Sequence, residues 1–199
     1  MADCAPLIVG LGGTLRHGSS TQLAVEAALV HASRMGADTL MLAGPALEMP
    51  FYAPENPGRT PQAVALVEAL RRADGIIIGS PGYHGSVSGL LKNALDYVED
   101  LSKDTRPYFD GRSVGLVAAG AGMQGAVTTL GMLRDITHAL RGSPTPFGVA
   151  FNSADKSEAR LAQTEDHLHL LARQVVEAAR SRMNSGVLQN AVESVLEGR

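Results

Sequence analysis

The chain is predicted to fold as one α/β domain: a doubly wound, five-stranded parallel sheet in the order 2-1-3-4-5, with helices on both faces. Two observations predict it. Short apolar runs alternate with helix-period segments along the chain. Loops rich in glycine and hydroxyls follow the first, third and fourth apolar runs, where such a sheet gathers its ligand-binding loops. A chain of 199 residues, 45% hydrophobic and 19% charged, is long enough for one substantial core.

The elements follow in order. Leu7 to Leu11 is strand one. Helix one runs from about Thr21 to Met35, and Gly36 stops it. Strand two is Thr39 to Leu42, followed by a Pro-rich loop, Gly44 to Gly58. Thr60 as N-cap and Pro61 at the first helical position start helix two, which ends at Ala73. Gly75 to Ser80 reads as a fully buried strand, and helix three spans about Ser88 to Leu101. Strand four is Ser113 to Ala119, helix four about Gln124 to Leu140, and strand five about Pro146 to Phe151. A last amphipathic helix, about Glu158 to Arg182, places Leu161, Leu168, Leu171, Val175, Val176 and Ala179 near one face. Residues 1–182 are thus expected to form the domain, and 183–199 a shorter helical extension with a weaker pattern.

Composition narrows the function. A net charge of -3 argues against nucleic acid or an anionic membrane as the main partner. The lone Cys4 allows no internal disulfide and fits a reducing cytosol, and the first residues lack a basic leader pattern, so a cytoplasmic location is expected. No apolar run approaches a membrane span.

The chemistry is concentrated in Gly13 to Thr21, Gly-Thr-Leu-Arg-His-Gly-Ser-Ser-Thr. A loop between strand and helix leaves amide N–H groups unsatisfied at the positive end of the helix dipole, which makes it an anion cradle. Thr14, Ser19, Ser20 and Thr21 add hydroxyl donors, and Arg16 adds a forked cation suited to phosphate. The loop is not a dinucleotide fingerprint, because Leu15 stands where the third glycine belongs and strand two ends without an acidic residue. Nor is it a nucleotide P-loop, since Ser19 replaces the lysine, or a phosphatase loop, since it holds no Cys. A monophosphate held by hydroxyls, amides and one Arg remains, which FMN satisfies; the alternative is a capping turn with no ligand. The third-strand loop, Ser80 to Gly89, supplies Pro81, Gly82, Tyr83, His84, Gly85 and Ser86, suited to a planar ring with a polar edge. Gly120 and Gly122 open the fourth-strand loop beside it.

With these segments the chain resembles the NAD(P)H-dependent FMN reductase family of flavodoxin-like proteins. The resemblance rests on Gly13 to Thr21 and on Ser80 to Tyr97, and its segment order extends over roughly residues 7 to 180. It implies a flavodoxin-like fold, bound FMN, use of NADH or NADPH, and a homodimer or homotetramer. By position, Thr14, Arg16, Ser19 and Thr21 would hold the phosphate, Pro81 to Gly85 would line the isoalloxazine, and Gly120 and Gly122 would flank its pyrimidine side. Thr14 replaces the usual Ser, Thr21 a common Asn, and Gly82 a common Glu, which removes a carboxylate near the ring. The implied reaction is hydride transfer to the flavin N5, followed by two-electron reduction of an acceptor or release of reduced FMN to a partner monooxygenase. It needs no side-chain nucleophile or base, so no catalytic residue is assigned; His84 is the one candidate for a supporting polar role. The competing reading is a flavodoxin-type electron carrier with no nicotinamide site of its own.

Other residues are read as structural. Lys92 and Asp96 form a helix pair, and His167 and His169, two apart on a helix, point to different faces and hold no metal. Met123 is placed to touch the ring, while Phe51, Tyr52 and Tyr108 lie in loops that could cap the pocket or an interface. The apolar residues of helix three, Leu90, Leu91, Ala94, Leu95 and Val98, exceed one narrow core stripe and point to a dimer contact.

Overall fold

A computed structural model of the protein describes residues 5–197, with side chains described for 5–185; Cys4 therefore lies outside the described residues. The strands are β1 (Leu7–Gly12), β2 (Asp38–Ala43), β3 (Gly75–Pro81), β4 (Ser113–Gly120), β5 (Ser143–Pro144) and β6 (Val149–Asn152), and the helices are α1 (Ser20–Arg34), α2 (Pro61–Arg72), α3 (Gly89–Asp96), α4 (Met123–Ala139) and α5 (Glu158–Glu197). All strand pairs are parallel, in the order β2-β1-β3-β4-β5 with β6 also bonded to β4.

Helix starts obey local chemistry. The side chains of Ser19, Thr60 and Ser88 accept from the N–H groups of Gln22, Ala63 and Leu91, capping α1, α2 and α3. Gly36, at a φ of 81°, ends α1 by donating to Ser33 O at 2.8 Å, while Ala37 N donates to Ala32 O at 3.1 Å. This pair of bonds needs a left-handed residue where Gly36 sits.

The sheet separates two apolar layers. Val9, Ile76, Ile78 and Leu116 face α2, α3 and α4, whereas Ile8, Ile77 and Val117 face α1 and α5. Alternation along fully buried strands produces this division.

Four expectations change. The fifth strand is split, because Pro144 and Pro146 bring no N–H to a ladder. Thr145 N still donates to Val114 O at 2.9 Å, but Phe147 N turns away to Gln174 Oε1 on α5 at 3.1 Å, and pairing resumes at Val149. Helix three is shorter than its pattern: α3 ends at Asp96 and a 3₁₀ turn covers Tyr97–Leu101. Leu161 is 53% exposed, since α5 meets the core only from Leu168 onward, and the helix runs unbroken through Met183. Finally, Leu91, Ala94, Leu95 and Val98 all lie in the protein's own core with Leu90 packed against it, so α3 keeps no apolar surplus for a second subunit.

Candidate functional site

The carboxyl ends of β1, β3 and β4 are stitched together by backbone. Gly13 N donates to Gly79 O at 2.9 Å, which ties the β1 loop to β3. Gly82 N donates to Ala119 O at 2.7 Å, which ties the β3 loop to β4. Ser88 Oγ donates to Gly13 O at 2.6 Å, and Ser88 N donates to Ser80 Oγ at 3.0 Å. After β6, the backbone N and side-chain Oγ of Ser153 both donate to Gly120 O, at 2.8 and 3.0 Å.

These bonds frame a cleft of about 440 Å³ lined by Thr14, Arg16, Ser19, Ser20, Thr21, Pro81, Gly82, Tyr83, Ala119, Gly120, Ala121 and Ser153. At its β1 end, Thr14 Oγ1 donates to Ser19 Oγ at 2.8 Å, and that oxygen also accepts from Gln22 N at 3.2 Å. The first backbone bond of α1 is Leu23 N to Ser19 O at 2.9 Å, so the N–H groups of Ser20 and Thr21 have no acceptor within the helix. Arg16 is exposed at the loop tip beside them, and none of the lining residues is acidic. Amide, hydroxyl and guanidinium donors without a carboxylate fit a phosphate monoester.

At the ring end, Gly82 is required by close approach. A Cβ there would meet Thr129 Oγ1 at 2.7 Å and Gly125 O at 3.0 Å, in the first turns of α4. The Glu common at this position in the resembled family would have no room here once α4 closes on the loop. Beyond Gly82 the chain forms a tight hairpin: Tyr83 and Ser86 exchange both backbone bonds at 3.0 Å, with His84 and Gly85 at φ values of 52° and 82°. Positive φ at both central residues is the turn that matches strand twist.

Of the residues read from the sequence, Thr14, Arg16, Ser19, Ser20, Thr21, Pro81, Gly82, Tyr83 and Gly120 line the cleft together. His84, Gly85 and Ser86 sit on the exposed hairpin, and Gly122 is the N-cap of α4; none of these four is among the lining residues. Ala119, Ala121 and Ser153 line it without having been anticipated. The small, polar run Asn152-Ser153-Ala154-Asp155 after the last strand was the available signal for Ser153.

Residues outside the cleft are structural. Tyr52 packs edge-on against Tyr97 at 5.2 Å, with the Arg59 guanidinium 5.1 Å over the Tyr52 ring. Arg59 donates to Asp100 Oδ2 at 2.6 Å, and that bond raises its pKa further above the ordinary arginine value. Asn93 secures the same loop, accepting from Tyr52 N at 2.9 Å and donating to Pro50 O at 2.9 Å. His167 meets Phe147 edge-on and His169 lies tilted against His31, each with ring centroids 5.0 Å apart, on separate sides of α5. Tyr108 lies under Arg141 at 5.2 Å, away from the cleft. Lys92 Nζ pairs with Asp96 Oδ1 at 2.5 Å. Among the described residues no helix is long and apolar enough to cross a membrane.

FMN-dependent NADPH-azoreductase from Staphylococcus aureus (strain USA300) is 38% identical over 106 residues, 53% of this chain and 50% of the relative. The chain thus spans about half the length of the curated relatives it matches. Among solved structures, RosB with a bound formylated riboflavin phosphate intermediate aligns with a TM-score of 0.73 at 17% identity, covering 98% of this chain and 88% of that one. An NADH:FMN oxidoreductase (EMOB) aligns with a TM-score of 0.64 at 20% identity, covering 86% and 90%. A WrbA-like flavodoxin from Agrobacterium tumefaciens aligns with a TM-score of 0.58 at 18% identity, covering 90% and 99%, which shows the flavodoxin-like fold. Since the model of the NADPH-dependent FMN reductase family matches residues 6–156, the chain belongs to that family.

Proposed function

We propose that the protein is an FMN-dependent NAD(P)H oxidoreductase. The observation that carries the reading is the cleft in which the β1, β3 and β4 loops converge, with unpaired α1 amides at one end and a planar-ring loop at the other. FMN held there would supply the two-electron chemistry, accepting a hydride from NAD(P)H and delivering electrons to an acceptor. The chain's own part is to bind and orient. The amides of Ser20 and Thr21, the hydroxyls of Ser19 and Thr21, and Arg16 would hold the phosphate. Pro81, Gly82 and Tyr83 would face the ring system from one side, and Ala119, Gly120 and Ala121 from the other. No carboxylate, imidazole or thiol is among the lining residues, so no proton is assigned to a side chain.

For the acceptor we favour a planar aromatic compound of the azo or quinone class. Its support is the azoreductase activity for which the relative is named and the half-exposed Tyr83 ring lining the cleft. Tight FMN with ping-pong kinetics would agree with this; loosely held FMN without ping-pong kinetics would favour delivery to a partner monooxygenase. A homodimer or homotetramer is proposed from the family resemblance alone, and sedimentation showing only monomer at micromolar concentration would remove it.

The decisive test is the anaerobic absorbance spectrum with NADH, then NADPH, added. Bleaching of the flavin band supports the oxidoreductase and identifies the nucleotide. A band that stays oxidised with both favours an electron carrier of flavodoxin type. No bound flavin, even after FMN is supplied, overturns the reading.

A further inference from the structure

Behind the phosphate loop lies a short chain of hydrogen bonds along one face of the first turns of α1. Gln22 is a buried polar residue on the first turn of that helix, 8% exposed. Its side-chain Oε1 accepts the N–H of Gly18 at 3.2 Å, and its Nε2 donates to Glu26 Oε1 at 2.7 Å. Glu26 lies one turn further along and is half-buried. Gly18 stands at a φ of 65°, the turn at which the loop reverses into α1.

The chemistry fixes the direction of this relay. Gly18 N–H is only a donor and an ionised Glu26 is only an acceptor. The Gln22 amide therefore satisfies both in one orientation alone, with its oxygen toward the loop. Reversed, it would set its NH₂ against the Gly18 N–H and its oxygen against a carboxylate. Removing the Glu26 acceptor removes one of the two partners that hold this orientation and leaves the Gln22 Nε2 without its anchor. We infer that Glu26, acting through Gln22, is a positioning residue for the phosphate loop: it locks the Gly18 turn so that Arg16, Ser19 and the Ser20 and Thr21 amides are held facing the phosphate before it arrives. The inference rests on the proposal that this loop holds the phosphate of FMN. Pre-organisation of this kind acts on binding by sparing the ordering cost of the loop.

The sign of the effect separates the relay from plain electrostatics. Glu26 places a negative charge one helical turn behind an anion site, so deleting the charge alone should tighten FMN binding. Deleting the relay should weaken it. Glu26→Leu and Glu26→Gln both remove the charge, but only the second substitution keeps a side-chain oxygen able to accept from Gln22 Nε2. The experiment is titration of the full chain and these two variants, and of Gln22→Leu, with FMN and with riboflavin, alongside thermal melting. Riboflavin lacks the phosphate and reports on the ring half of the cleft alone.

The expected result is FMN binding weakened roughly 3- to 10-fold in E26L and in Q22L, the loss associated with one hydrogen bond, with riboflavin binding unchanged. E26Q, which keeps the acceptor and loses the charge, should bind FMN at least as tightly as the unaltered protein. FMN binding in E26L equal to or tighter than in the unaltered protein would overturn the relay. So would equal weakening of FMN and riboflavin, which would mark a general loss of structure, or E26Q matching E26L. If the unaltered protein binds FMN no more tightly than riboflavin, the phosphate assignment itself falls, and the relay with it.

Discussion

Gly82 and Arg112 illustrate two opposite demands at the residue scale. At Gly82 the backbone must be bare, because the first turns of α4 press on it. Gly82→Ala should destabilise the protein by about 1–3 kcal/mol, the usual cost of forcing atoms into a packed contact. It should also weaken FMN binding, measured by melting and flavin titration. Arg112 is 1% exposed, and its guanidinium is surrounded by carbonyl acceptors. Nη2 donates to Arg71 O at 2.8 Å, Nη1 to Tyr108 O at 3.0 Å, and Nε to Ala73 O at 3.2 Å. Burial, and after it the neighbouring Arg106 guanidinium, lowers its pKa to about 10, which leaves it charged at neutral pH. Arg112→Met strands several buried carbonyls, each costing about 1–3 kcal/mol, so denaturant unfolding should show a loss of roughly 3 kcal/mol or more. Flavin chemistry in molecules that still fold should be unchanged, since the cleft lies at the other end of the sheet.

At the scale of elements, α5 depends on a missing side chain beneath it. A Cβ on Gly115 in β4 would approach Val175 Cγ2 to 2.9 Å and Leu171 Cδ2 to 3.0 Å. The obstructing atoms are side-chain ends, so Gly115→Ala should cost about 1–2 kcal/mol rather than abolish folding, read as a lower denaturation midpoint. The start of α5 has its own electrostatics. Asp155 Oδ1 accepts from Ser157 N at 3.0 Å, and this bond, with Arg160 as a lesser contributor, holds its carboxyl below the ordinary value of 3.8. A carboxylate with a lowered folded pKa contributes stability that is present above the unfolded pKa and lost as pH falls through the folded one. An NMR titration should therefore find Asp155 still ionised when an unstructured aspartate is half-protonated; an unshifted midpoint would contradict the contact.

For the molecule as a whole, the cleft links binding to stability. A ligand that binds only the folded state at a hundred times its dissociation constant adds about 2.7 kcal/mol. FMN should thus raise the melting temperature in a concentration-dependent way, and riboflavin should do so less, because it leaves the Ser20 and Thr21 amides without their anion. A melting temperature indifferent to FMN would argue that nothing binds in the cleft.

Sheet order, layer division and helix caps were legible in the sequence because they rest on local signals. Ile76-Ile77-Ile78 reads as buried on both faces, Thr60 sits where an N-cap hydroxyl belongs, and Gly36 marks a helix end. The proposed phosphate loop could be read from the sequence for the same reason: its donors are contiguous along the chain. What the sequence could not determine depends on neighbours distant in it. Ser153 enters the cleft because β6 lies beside β4, Gly82 is bare because α4 closes on it, and Phe147 leaves the ladder for Gln174. The apolar residues of α3 read as a surplus for a partner, yet α2 and the loop after β2 bury them within the chain. Periodicity counts the residues to be covered and is silent on what covers them, and only the packed tertiary structure supplies the cover.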